Sequence, residues 1–414
     1  MKKVFFKTFG CRTNVFDSQV MMSRLEGYEI TQNEADADVV VVNSCTVTNG
    51  ADSSVRGYVN QLHNKGNAKI LLTGCGAHTK GESLLNEHKV FGVFGQSEKE
   101  KINTLLAAEQ PFYELGDLEF IDNNIVDDFV GKSRAFIKIQ EGCDFRCSYC
   151  IIPLVRGDAR SMNEETILLQ IRNLAAHGFG EFVLTGTNVG SYGKGEGRSI
   201  ASLMKKIALI RGVRRIRLGS IEPIQIDDAF KEILNEPWLE RHLHIALQHT
   251  SKEMLRMMNR RNKFESDRIL FHELSEKGFA LGTDFIVGHP GESETLWREA
   301  MHNLDTLPLT HIHAFTYSKR DGTPSALMSP SINGAIAKER IKELNAVVDA
   351  KNLAFRKQYK GVLEVLIESC KEGLYHGLDQ HFNKIVVRSN EALEGNWVYI
   401  EDYTVEQEYN YAEF

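Results

Sequence analysis

The sequence predicts an α/β chain in three parts: a doubly wound parallel sheet, an incomplete parallel barrel and a small antiparallel β-barrel. Three observations carry this. Strand-like and helical stretches alternate three times in the first 110 residues. From Arg134 the alternation resumes for six further units, which fits an open barrel better than a closed eight-unit one. The last 54 residues then switch to short alternating strands separated by glycines.

Each element has a local reason. Val4–Phe9 is a short apolar run, followed by Gly10-Cys11 and a helical stretch near Asp17–Leu25. Asp38–Val42 carries four consecutive valines, the pattern of a strand buried on both faces, and leads through Asn43-Ser44-Cys45 to a helix near Asp52–Asn64. Lys69–Thr73 is a third strand, ending at Gly74-Cys75. Residues 116–132 turn acidic (Asp117, Glu119, Asp122, Asp127, Asp128) and read as a linker. The expected domains are therefore 1–115, 133–355 and 356–414.

In the middle domain the candidate strands are Ala135–Gln140, Glu181–Leu184, Arg214–Leu218, His242–Leu247, Leu281–Val287 and His311–Thr316. Ser161-Met-Asn-Glu164 reads as a capping box at the start of its first long helix. A mostly basic helical segment, Ala335–Lys360, precedes the strands Val362–Ile367, Lys384–Arg388 and Trp397–Ile400.

Composition bounds the function. With 414 residues, 42% hydrophobic and 25% charged, the chain reads as a soluble protein of two or three domains. It has no charge-free run of 18 residues, so no membrane-spanning helix and no membrane partner are expected. Met1–Lys7 begins like a signal peptide, but Lys7 and Arg12 interrupt the apolar stretch, so a cytoplasmic protein is expected. The net charge is −7, and residues 361–414 alone contribute −8, from three basic and eleven acidic residues. Any nucleic-acid contact must then come from a local basic patch elsewhere.

Seven cysteines in such a chain argue for metal binding or catalysis over disulfides. Cys143, Cys147 and Cys150 stand at i, i+4 and i+7 in one loop, able to hold three corners of an iron–sulfur cubane. Three ligands leave the fourth iron open for chemistry. A zinc loop is the competing reading, but structural zinc wants four ligands and no fourth follows at suitable spacing. Cys11, Cys45 and Cys75, separated by 34 and 30 residues, each fall just past a strand's C-terminal end. That edge of an open α/β sheet is where ligands bind, so the three should meet in space. Lone buried cysteines are more often inert hydrophobes, and only the shared edge sets these apart.

The C-x3-C-x2-C loop behind a first barrel strand resembles the radical S-adenosylmethionine (radical SAM) superfamily. The resemblance implies that the open iron chelates SAM for reductive cleavage. It places Tyr149 and the glycine-rich strand Gly282–Gly291, with Gly288, near the adenine. It also places Gly186-Thr187-Asn188 at the amino group, and Ser220 and Glu222 at the ribose. The text around Cys11, Cys45 and Cys75, with Ile152-Pro153, Arg156-Gly157 and Arg160-Ser161, resembles the methylthiotransferase family. Its first domain is flavodoxin-like, and Tyr359-Lys-Gly361 with Gly377–Asn383 resembles a TRAM domain.

Within that family, Gly10-Cys11-Arg12-Thr13-Asn14 is nearer the branch acting on N6-threonylcarbamoyladenosine at position 37 of tRNA. The isopentenyladenosine branch tends to read Gly-Cys-Gln-Met-Asn, and the branch modifying a ribosomal-protein aspartate reads Gly-Cys-Pro-Lys-Asn. The resemblance implies two [4Fe-4S] clusters on the six cysteines, SAM, a tRNA anticodon stem-loop, a low-potential electron donor and a sulfur source. A non-enzymatic iron–sulfur carrier or RNA-binding module is the distant alternative; open irons argue against it. Gln248-His249-Thr250-Ser251 departs from the family's usual Gln-Ser-Gly-Ser, leaving Gln248 as a candidate cofactor contact in an altered setting.

Other features read as bland. His242-x-His244 and His311-x-His313 place imidazole pairs on one strand face, expected to hydrogen-bond inside the barrel. Cys370 stands alone. Arg256, Arg260 and Arg261 form a basic cluster, either a solvated helix face or a grip for RNA phosphates.

Overall fold

The computed structural model describes residues 1–66, 68–126, 129 and 132–414. The first domain runs β1 (Lys2–Thr8), α1 (Arg12–Ser23), β2 (Tyr28–Ile30), β3 (Val39–Ser44), α2 (Asn49–Lys65), β4 (Lys69–Gly74), α3 (Ala77–Asn86), β5 (Gly92–Phe94), α4 (Ile102–Ala107) and β6 (Phe112–Glu114). Its sheet is parallel throughout, in the order β2-β1-β3-β4-β5-β6. The valines of β3 alternate between two cores, Val40 and Val42 on one face and Val39 and Val41 on the other. That two-sided burial is why the strand is continuously apolar. The sheet has six strands where three were expected, because β2, β5 and β6 are only three residues each.

Helix α1 starts at Arg12, well before the expected Asp17. The reason is chemical: its buried face carries Asn14, Asp17, Ser18 and Gln19, so the usual apolar stripe is missing.

The barrel follows as β7 (Ala135–Lys138), β8 (Gln140–Glu141), α5 (Ile152–Arg156), β9 (Arg160–Ser161), α6 (Glu164–Ala176), β10 (Glu181–Thr185), α7 (Ile200–Ala208), β11 (Arg215–Leu218), α8 (Asp228–Lys231), β12 (His242–His244), α9 (Lys252–Met257), α10 (Phe264–Glu276), β13 (Ala280–Val287), α11 (Glu294–Asp305) and β14 (His311–Thr316). Two parallel three-stranded sheets, β11-β10-β7 and β12-β13-β14, are joined by bridges at Ile216–Leu239 and Ile221–Ile245. The cap of α6 is Asn163, whose side chain accepts from the Thr166 amide; Ser161 belongs to β9 and forms no capping box. Along the barrel's open side, α1 packs against β7.

Over its described residues, the segment expected as a linker is a packed strap. Asp122, Asn124, Val126 and Phe129 are buried, the last two within the barrel core, and Asp122 pairs with Lys99 and Lys138. Asp127 and Asp128 lie outside the described residues.

After α12 (Gly334–Gln358) come β15 (Leu363–Lys371), β16 (Leu374–Leu378), β17 (Lys384–Arg388), β18 (Trp397–Ile400), β19 (Thr404–Val405) and β20 (Asn410–Glu413). They form one curled sheet, antiparallel except for the parallel pair β17–β20. This sheet closes the N-terminal mouth of the barrel. There Arg215 donates to the Glu364 carbonyl at 2.7 Å, Arg217 to the Asp379 carbonyl at 2.7 Å, and Arg134 pairs with Glu368. Part of the domain's acidity is thus matched to arginines of the barrel mouth. Among the described residues no helix is long and apolar enough to cross a membrane.

Candidate active site

The three cysteines of the first domain meet at the sheet's C-terminal edge, as the strand order requires. Cys11 caps α1, and Cys45 and Cys75 follow β3 and β4 directly. The loops touch: a Cβ on Gly10, whose φ is +95°, would stand 2.6 Å from Cys45 Cβ and 2.9 Å from its Sγ. Only glycine serves there. Asn14 Nδ2 donates to the carbonyls of Phe9 (2.8 Å) and Ser44 (3.0 Å), tying the first two loops together.

Cys143, Cys147 and Cys150 lie between β8 and α5, on a loop held from outside. Ser148 donates from its amide to the Met258 carbonyl (3.0 Å) and from its hydroxyl to the Met257 carbonyl (2.9 Å). Asn259 Nδ2 donates to the Arg146 carbonyl at 2.6 Å, and Arg261 stacks 4.1 Å over Phe145.

Three N–H donors point at thiols. Arg156 Nε is 3.2 Å from Cys75 Sγ, Arg260 Nη1 is 3.5 Å from Cys147 Sγ, and Asn188 Nδ2 is 3.5 Å from Cys143 Sγ. A guanidinium calls for an anionic acceptor, so these contacts suit thiolates. Burial, with the neighbouring thiols adding to it, pushes Cys45 up to about 11 and Cys150 up to about 12, and also raises Cys75 and Cys143. Ligation by a metal would reverse that by deprotonating them. Donors aimed at sulfur, and thiols that need a metal to ionise, fit two iron–sulfur groups.

Both sets border one cavity of about 400 Å³, lined by Cys11 from the first and Cys150 from the second. Tyr149, Gly186, Thr187, Gln248 and Asp284 also face it. Burial pushes the Tyr149 phenol well above its ordinary range, so the ring stays neutral. Gly186 lets its loop lie against Gln140, where a Cβ would come within 2.7 Å of the carbonyl oxygen. Gln248 adopts a positive φ of 68° and bridges to Phe285 as a single rung of the sheet. Its neighbours His249, Thr250 and Ser251 are fully buried against α11, so the altered Gln-His-Thr-Ser text mainly concerns packing.

Other expected site residues are engaged by groups of the protein itself. Ser220 is exposed, its hydroxyl 3.4 Å from Asp284 Oδ2. Glu222 is engaged by both Nη atoms of Arg260, at 2.9 and 2.5 Å. Gly288 turns toward Ala337 and Ile332, and its amide donates to Glu292 at 2.9 Å. Arg260 is also corrected as an RNA contact. Its side chain is 2% exposed and locked between Glu222 and the Ala246 carbonyl, whereas Arg256 and Arg261 are exposed.

Sequence reasoning missed the seam that joins the two cysteine sets. Asp17 of α1 receives Lys99 (2.9 Å), Lys138 (2.7 Å) and Arg156 (3.1 Å), and Glu141 receives Lys138 (3.2 Å) and Arg156. Burial works against the Asp17 charge, but Lys138 and Lys99 hold its carboxyl far below the usual range. The available signal was Lys138 itself, a charge inside the largely apolar run Ala135–Gln140.

A partial barrel with three thiols on a loop after its first strand, opening on a shared cavity, defines a radical SAM enzyme. Residues 137–304 match the Radical SAM superfamily, and residues 3–95 match Uncharacterized protein family UPF0004. A methylthiotransferase-named protein of Helicobacter pylori (strain J99) is 51% identical, covering 100% of both chains. The threonylcarbamoyladenosine tRNA methylthiotransferase MtaB of Bacillus subtilis is 32% identical over 100% of this chain and 96% of its own. The tRNA-2-methylthio-N(6)-dimethylallyladenosine synthase of Anoxybacillus flavithermus is also 32% identical, over 89% of this chain and 73% of its own. The chain belongs to the radical SAM methylthiotransferase family.

Proposed function

We propose that this enzyme adds a methylthio group to C2 of N6-threonylcarbamoyladenosine at position 37 of tRNA, in the anticodon stem-loop. The observation that carries this is the single cavity bordered by Cys11 and Cys150. A base placed there would have both cysteine sets beside it, and reaching C2 requires the adenine to leave its stack. The Gly10-Cys11-Arg12-Thr13-Asn14 text and the MtaB relative favour the threonylcarbamoyl substrate over the isopentenyl one.

When bound, two [4Fe-4S] clusters and SAM would supply reductive SAM cleavage at Cys143, Cys147 and Cys150 and a sulfur-holding site at Cys11, Cys45 and Cys75. The protein's part is positioning and exclusion of water. Val47, Ile151, Ile152, Ile286 and Phe315 give the cavity apolar walls, and Tyr149 offers a neutral ring face to an adenine. Arg260 fixes Glu222 beside the cysteine loop, and Thr187 Oγ1 donates to the Gly142 carbonyl at 2.5 Å, which anchors the loop after β10. A low-potential donor must supply electrons, and a separate source the sulfur.

Nucleoside mass spectrometry on tRNA from a deletion strain tests the substrate. The methylthio form of threonylcarbamoyladenosine should vanish while its unmethylthiolated precursor accumulates. Loss of the methylthio-isopentenyl nucleoside instead would assign the enzyme to the other branch, and unchanged tRNA would point to a protein substrate.

A further inference from the structure

We propose that His244, Asp284 and His313 form a mononuclear site for a divalent first-row cation, zinc being the best match, on the wall of this cavity. The three residues come from adjacent strands, β12, β13 and β14. In the ladder His244 pairs with Gly282 and Asp284 pairs with His313, so all three project on one face. His244 Nε2 lies 3.1 Å and His313 Nδ1 3.6 Å from Asp284 Oδ1, and the three ligand atoms are all within 4.8 Å of one another. With Zn–N and Zn–O bonds of about 2.0–2.2 Å, the edge of a tetrahedral site is roughly 3.3–3.5 Å. Two of the three edges are within about 0.2 Å of that length, and a side-chain adjustment of about 1.3–1.5 Å would close the third.

Interior hydrogen bonding accounts for His311, whose Nδ1 lies 2.8 Å from Thr310 Oγ1, but not for every one of these imidazoles. The Nε2 atoms of His242 and His244 are buried and have no hydrogen-bond partner. His244 Nε2 lies at ion-pair distance from Asp284 Oδ1, a spacing that two ligands of one ion also keep. Behind the triad, His242 and His311 meet edge to face with ring centroids 4.9 Å apart, and Gly282 makes room for the group. A Cβ there would stand 2.8 Å from His244 Nδ1 and 2.9 Å from His242 Nε2.

The site is open on one side. The His313 side chain is 61% exposed and Asp284 lines the cavity. Three protein ligands with a position free toward a cavity is the pattern of a zinc site that takes water or a substrate atom. The ion would therefore offer a Lewis-acid position to an oxygen or nitrogen of whatever occupies the cavity. None of the six cluster cysteines takes part, so the proposal stands apart from the substrate assignment.

Cluster-loaded full-length enzyme, prepared anaerobically, tests this with zinc chloride as the probe. After incubation and desalting, elemental analysis should find about one zinc per chain with iron unchanged. Zinc-edge absorption should show only nitrogen and oxygen at about 2.0–2.2 Å. His313→Ala, at the exposed corner, and the near-isosteric Asp284→Asn should each weaken zinc binding by about 100-fold or more, with iron content unaltered. A sulfur shell at about 2.3 Å would move the zinc to cysteines and overturn the site. So would zinc retained equally by both variants, or no zinc held by the wild-type enzyme.

Discussion

Arg156 Nε donates to Cys75 Sγ at 3.2 Å across the seam between the first domain and the barrel. The same guanidinium serves Glu141, Asp17 and Asn14. Burial works against its charge, yet Cys75, Glu141 and Asp17 outweigh that and hold it well above its ordinary value. One side chain thus reads both domains. Because α1 carries Cys11 at its cap and Asp17 six residues later, the seam fixes where the first cysteine set stands relative to the second.

Removing that cation should be costly. Arg156→Gln leaves two buried carboxylates short of a partner, and breaking such a pair typically costs about 3–5 kcal/mol. The urea midpoint should fall accordingly. Arg156→Lys keeps the charge without the planar fork and should fall between. Iron should be lost preferentially from the first cysteine set in both variants. A stability equal to wild type in Arg156→Gln would mean that the seam does not hold the domains together.

Anaerobically reconstituted enzyme should carry about eight irons, four for each cubane. The double variant Cys143→Ala, Cys147→Ala should keep about four and lose SAM cleavage. Cys45→Ala should still release 5′-deoxyadenosine with reductant while forming no methylthio product, since the other thiol set lies on a loop of another domain. If the double variant loses all its iron, the two sites are not independent.

How much of this could be read beforehand depended on the kind of residue. The four valines of β3 and the cysteines at strand ends are local signals, and apolar periodicity locates them directly. Helix α1 and the strap around Asp122 were misread for one reason: their polar residues are buried against partners far along the chain, Lys138 and Lys99. Composition then imitates a solvated segment. Arg260 failed in the same way. Next to Arg261 in sequence it looked like half of a basic patch, but the turn after α9 points it inward to Glu222, 38 residues upstream. The cavity was legible only because strand order puts both cysteine sets at C-terminal ends.

With Arg260 withdrawn, the RNA grip should rest on Arg256, Arg261 and the outer face of α12. Arg340 and Arg356 of that helix are already spent, on Glu292 and on the carbonyls of Glu406, Gln407 and Tyr409. The acidic terminal domain sits at the opposite barrel mouth from the cysteines. Arg256→Ala with Arg261→Ala should weaken tRNA binding and flatten its salt dependence by about 0.7–0.9 per lost phosphate contact. An unchanged slope, with a large loss on replacing Lys371, Lys384 and Arg388, would restore the terminal domain as the main contact.

Stability should fall in mild acid through histidines held neutral. Burial lowers His289 to about 4; its Nε2 lies 2.8 Å from Ser325 Oγ and its Nδ1 3.0 Å from the Pro290 carbonyl oxygen. His381 is likewise lowered to about 4 and His311 to about 3, again chiefly by burial. A group whose folded pKa lies below its unfolded value of about 6.5 contributes fully above pH 6.5 and loses that contribution as pH falls toward 4. For His289 the loss is on the order of 3 kcal/mol. Two carboxyls work in the opposite direction, since burial pushes Glu240 up to about 7 and Asp267 up to about 6. The wild-type curve therefore mixes both signs, and the variant difference is the cleaner measurement. Between pH 7 and 4.5, His289→Gln should lose distinctly less stability than wild type in urea titrations. Parallel pH profiles for the two proteins would show that His289 carries a proton in the folded state.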